Sequence, residues 1–160
     1  MAISRFSLDV KNWSERAKRN LAAVHTITFF DASTEIVART PLKTGFLRAS
    51  WFASVNAPPA GPAGASNATA SVATAAATFR LGDTLYFGNT AAYARRLEEG
   101  FVGVDSLGRS YNQIGRFWVR GVLAGIQAIG NSAAARVSQG NAGPARPGGG
   151  GAVPDTGFVR

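Results

Sequence analysis

The residues able to do chemistry in this chain are arginines and carboxylates, because the usual catalytic side chains are scarce or missing. There is no cysteine, which excludes a thiol nucleophile, a thiolate metal site and a disulfide, and suits a reducing compartment. His25 is the single histidine. Its nearest acids, Asp31 and Glu35, lie six and ten residues on and therefore off its own helical turn. Without a second histidine or a thiolate it is not a usual zinc ligand, and it reads as a surface or partly buried side chain. The glycines at 61 and 64 lack the Gly-Lys-Ser/Thr ending and the receiving helix of a phosphate loop. Nine carboxylates are spread along the chain with no metal spacing. No catalytic, cofactor-binding or metal-ligating set emerges, so the expected activity is binding and not enzymatic.

Charge points the same way. Seventeen Lys and Arg against nine Asp and Glu give a net +8, which favours an anionic partner, either nucleic acid or an acidic protein surface. The basic residues are scattered, with small clusters only at Arg16-Lys18-Arg19 and Arg95-Arg96. A reader of DNA sequence would gather them on one face beside aromatic or amide side chains. Arg116 and Arg120 are one helical turn apart; they suit a phosphate, or else a solvated face or salt bridges. Glu98 and Glu99 end a short helix, where acids are unfavourable, three and four residues after Arg95. They are either solvated or in contact with Arg48 or a neighbouring subunit.

The elements that must position these residues follow from period and punctuation. Residues 7–39 read as one helix, or two with a bend, with Ser7 as N-cap and Asp9 in the first turn. Val10, Trp13, Ala17, Leu21 and Val24 share a face. Beyond Thr26 the stripe is lost, so the helix either bends or is covered on more than one side. Thr40-Pro41 stops it, and Lys43-Thr44-Gly45 turns the chain. Leu47, Ala49, Trp51, Ala53 and Val55 then alternate as an inward strand face over 46–55, with Phe52 on the opposite side as a second contact surface. The Pro/Gly/Ala-rich stretch 57–70 is expected to be a mobile loop. Residues 69–79 suit a short helix, 85–88 a strand and 91–99 a helix closed by Gly100. Residues 101–114 read as a loop and 115–138 as the last helix. Gly121, Gly125 and Gly130 weaken that helix unless another backbone passes close by. Residues 139–160 form a Gly/Pro-rich tail, with Phe158 among the few side chains able to anchor it on a partner.

Two stretches carry a resemblance: Thr40-Pro41-Leu42-Lys43-Thr44-Gly45-Phe46-Leu47-Arg48-Ala49-Ser50-Trp51, and the segment from Tyr86 through Gly88-Asn89, Tyr93-Ala94 and Leu97-Glu98-Glu99-Gly100. In this order and at this separation they resemble the tail-completion or neck (head–tail connector) proteins of long-tailed bacteriophages, over about residues 6–129. The family often has Val-Asp after the proline, where this chain has Leu42-Lys43. The resemblance implies a structural virion protein, made in the host cytoplasm and placed in the neck. It implies a homo-oligomeric ring, a hexamer by family pattern, between head connector or adaptor proteins and the tail terminator or tail tube. DNA would pass through without sequence recognition, and no membrane would be involved. The candidate interface residues are Arg48, Phe52, Arg95, Arg96, Glu98, Glu99, Arg116, Arg120 and Phe158. The alternative is a free basic nucleic-acid-binding protein.

The expected fold is α+β: a single domain over 1–138, with long N-terminal and C-terminal helices on a small, mostly antiparallel sheet, followed by the tail. Two strands are too few for that sheet. The regions 71–79 and 101–111, or strands from neighbouring subunits, are the candidates to complete it. Much of the 46% apolar content is alanine, so the core should be small.

Overall fold

A computed structural model describes residues 5–141. Helix α1 (Arg5–Arg39) runs unbroken for 35 residues, about 52 Å at 1.5 Å per residue, on a sequence free of glycine and proline. It is already helical at Arg5, so Ser7 lies inside it and is not its cap. The Thr40 N–H donates to Ile36 and Val37 carbonyls, and Pro41 ends the run. Of the two readings of the lost stripe, a bend or cover on several sides, the second holds over the second half of the helix, with the cover supplied by this chain's own elements: α2 (Ala68–Thr78), α4 (Trp118–Ala124) and α5 (Ile126–Asn141). Its first half is largely exposed, with Phe6 76% and Trp13 70% exposed.

Strand β1 (Trp51–Val55) begins five residues later than the alternation suggested. Gly45 takes φ +83°, the Ala49 N–H donates to the Gly45 carbonyl, and Arg48–Ser50 forms a 3₁₀ turn. Leu47 is buried all the same, because in such a turn it shares the inward side with Ser50 and Trp51. Strand β2 (Leu85–Asn89) pairs antiparallel with β1, Trp51 opposite Asn89 and Val55 opposite Leu85. Asn56, at φ 60°, closes the open end through Asp83 and Thr84.

The connection 57–67 is fastened down, contrary to the expectation of a loose loop. The Ser66 N–H donates to the Ala49 carbonyl and the Gly64 N–H to Ser50 Oγ. Gly61 lies directly over the Phe52 ring, and Gly64 over Phe46. The small residues that looked like disorder are what let this backbone approach so closely. Helix α2 follows at the expected place, capped by the Asn67 side chain on the Ala70 N–H; residues 71–79 are therefore not a strand.

Helix α3 (Ala94–Glu99) is shorter than expected at its start, and Gly100 ends it at φ 87°. Residues 101–114 hold strand, as the alternative for 101–111 had it, and are not a plain loop: β3 (Gly100–Val104) and β4 (Ser110–Ile114) form a second antiparallel ribbon of their own. The sheet expected as one is thus two separate pairs. The last helix breaks in two at Gly125. Gly121 lies against Arg39 and Gly130 against Thr28, so α4–α5 runs antiparallel to α1. Helix α5 continues through Asn141, three residues past its expected end at 138. Among the described residues five of the eleven buried apolar side chains are alanine, and the core is as small as composition implied.

Candidate assembly junction

The site begins at the end of α1. The Thr40 hydroxyl, 1% exposed, donates to the Ile36 carbonyl at 2.7 Å and accepts from Trp51 Nε1 at 3.0 Å. Arg48 turns back onto the same helix end, its guanidinium donating to the Thr40 and Ala38 carbonyls at 3.0 and 2.9 Å. A cation there satisfies carbonyls that have no helical partner. Asn89 reaches in from β2, Nδ2 donating to the Leu47 carbonyl at 2.8 Å, and the Thr90 N–H donates to the Ser50 carbonyl. Trp51 stacks on Phe87 at 4.7 Å. The two segments distant in sequence therefore meet in one junction.

Thr40→Val keeps the side chain's shape and removes both bonds, leaving the buried indole N–H without its acceptor. It should lower stability by about 2–3 kcal/mol, measured by urea unfolding. Thr40→Ser should recover most of that loss. Equal stability of Thr40→Val and wild type would remove Thr40 from this role.

The remaining candidates divide. Glu98 and Glu99 do not meet Arg48, which is turned onto the Thr40 and Ala38 carbonyls. Glu98 instead accepts from the Val119 and Arg120 backbone N–H groups at 3.2 and 3.0 Å. The end of α3 abuts the start of α4, so an acid unfavourable for one helix becomes a cap for the next. The spacing of about twenty residues gives no local signal of this. Glu99 pairs with Arg95 one turn back, at 2.9 Å, an exposed pair that adds little to stability. Arg96 lies over the Phe101 ring at 4.5 Å.

Arg116 and Arg120 do not form a clip on one helical turn. Phe117 between them is left-handed (φ 49°) and α4 starts only at Trp118. Arg120 covers Phe117 at 4.9 Å, while Arg116 borders a cavity with Lys43, Leu47 and Tyr93. Phe52 is half-buried beneath Gly61, which occupies the second surface assigned to it. Phe158 lies outside the described residues. His25 is exposed and stacks on Phe79 at 5.9 Å.

Asp105 lies in the stretch that reads from sequence as a loop, yet it organises the β3–β4 hairpin. Its carboxylate accepts from the Leu107 and Arg109 N–H groups, the Arg109 guanidinium and the Tyr111 hydroxyl. The guanidinium foremost, then those N–H groups, hold its pKa below the ordinary 3.8. A depressed carboxylate pKa stabilises the fold above the unfolded value, and that contribution is lost as pH falls through the lower folded one. Asp105→Asn should therefore speed amide exchange across 100–114 at pH 7, with the gap to wild type narrowing below about pH 4. A gap unchanged with pH would show that charge is not the cause.

Among the described residues no group of three or more His, Asp or Glu side chains could hold a metal ion, and no helix is long and apolar enough to cross a membrane. Set against known proteins, the chain matches no family model, no curated protein and no solved structure.

Proposed function

We propose that the protein is a structural subunit of the neck of a tailed bacteriophage, acting in tail completion or head–tail joining as a closed ring around the DNA channel. The observation that carries this reading is the junction itself. Thr40, Arg48, Trp51 and Asn89, which carry the resemblance, are the residues whose side chains tie the end of α1 to the β1–β2 ribbon. A motif pair that folds into a single structural unit is what a shared fold would require of it.

The surface adds support. Val102 (79% exposed), Val104 and Ile114 lie bare on one face of the β3–β4 ribbon, and the first half of α1 is uncovered. Exposed apolar groups in such number mark contact surfaces. The partners are copies of the chain itself, six by family pattern, together with the head connector or adaptor proteins and the tail terminator or tail tube. DNA passes through without being read.

Light scattering and electron microscopy of the purified protein, alone and with isolated DNA-filled heads, test this. Closed rings, or addition of the protein to the head vertex, are the expected result. DNA affinity should be weak, independent of sequence and steeply reduced by salt, since counterion release supplies it. Arg95→Glu and Arg120→Glu should impair particle assembly more than that affinity. A monomer or dimer that binds one DNA sequence tightly would overturn the reading and favour a free nucleic-acid-binding protein.

A further inference from the structure

An exposed N-terminal half of α1 and an open apolar groove lie on the same molecule. The groove, about 590 Å³, sits between the second half of α1, the β1–β2 ribbon and α4–α5. Phe29, Phe79, Phe87, Leu123 and Ile126 line it, with Asp83 as its carboxylate, His25 beside Phe79, and no lysine or arginine. Leu123 and Ile126 stand at 52% and 38% exposure, so the groove is accessible. The first half of α1 offers the complement. Phe6, Val10 and Trp13 project at helical spacing, all exposed, among five basic residues (Arg5, Lys11, Arg16, Lys18, Arg19) and two acidic ones (Asp9, Glu15).

We infer that this half of α1 is an arm that seats Trp13 in the groove of a second copy, with Arg16 beside that copy's Asp83. The inference rests on the ring reading and deepens it by naming the contact between subunits. An arm cannot fill its own groove, because both belong to one unbroken helix: Trp13 and Phe29 are 16 residues apart, about 24 Å along the axis. Knob and hole on different faces make a heterologous contact, which repeats from copy to copy and closes into a ring when the rotation allows. Charge fits the assignment, since a basic arm enters a groove lined by a carboxylate and by no lysine or arginine. That carboxylate is fixed in place by the Asn56 side chain and the Arg80 N–H.

The absence of cysteine makes the test direct. Trp13→Cys with Leu123→Cys in the full chain changes two exposed side chains, so the fold should persist. Mild oxidation should give a ladder of covalent multimers that ends at the ring size, while each single variant gives none. A ladder that fails to form overturns the inference. Trp13→Cys alone forming dimers overturns it too, by showing arm-to-arm pairing. Light scattering on the same sample separates the two readings: ring mass without a ladder spares the ring and rejects this contact, whereas monomer alone rejects both. Independently, Arg16→Asp and Asp83→Arg should each lower the assembled mass, and the double swap should restore it. A double swap no better than either single variant would reject the Arg16–Asp83 pairing.

Discussion

Trp51→Ala is expected to destabilise the protein by about 3–5 kcal/mol, the range for removing a large aromatic from a packed core. Trp51 is 5% exposed, lies almost parallel to the Phe87 ring, and belongs to the cluster with Ile36, Leu47, Trp118 and Val122. Domains of this size are stable by only about 5–15 kcal/mol, so this single change should consume much of the margin. Trp51→Phe keeps a ring against Phe87 and loses the bond to Thr40, so its loss should fall between those of wild type and Trp51→Ala. Urea unfolding checks both, and an alanine variant melting within a degree or two of wild type would refute the assignment.

The second large effect is expected at Gly100, where α3 passes directly into β3. Its φ of 87° with ψ of 169° is a conformation that essentially only glycine adopts. A Cβ there would also lie 2.7 Å from both the Gln113 carbonyl oxygen and the Gly115 nitrogen. Both contacts are backbone, so neither can swing aside. Gly100→Ala should cost at least about 3 kcal/mol, from conformational strain and overpacking together. Gly115→Ala probes the same crossing from the other side, since its Cβ would meet the Glu98 carbonyl oxygen at 2.6 Å. Gly108, at φ 77° with open space around it, is the control: alanine there bears the strain without the clash. Gly100→Ala no more damaging than Gly108→Ala would mean that the two backbones do not cross as described.

What the sequence determined by itself was local. A 35-residue run without glycine or proline makes α1, Thr40-Pro41 stops it, the alanine-rich run over 69–79 makes α2, and alternation places Trp51 and Val55 in a strand. The α+β class follows from those elements, as does a core poor in large side chains. These features depend on neighbours within about four residues, the range over which hydrogen bonds and period act along a chain. Only the tertiary structure decided the rest. It put Leu47 at the head of a 3₁₀ turn, where an alternating pattern also fits, because Gly45 can turn and Asn89 is there to donate to the Leu47 carbonyl. It fastened 57–67, since a Gly/Pro-rich stretch looks free until an aromatic ring such as Phe52 lies beneath it. It made residues 101–114 a ribbon through Asp105, and it turned Glu98 from a misplaced acid into the cap of α4. In each of these the deciding partner is remote in sequence or shows its role only once folded, and pairing energy of that kind leaves no mark on local composition.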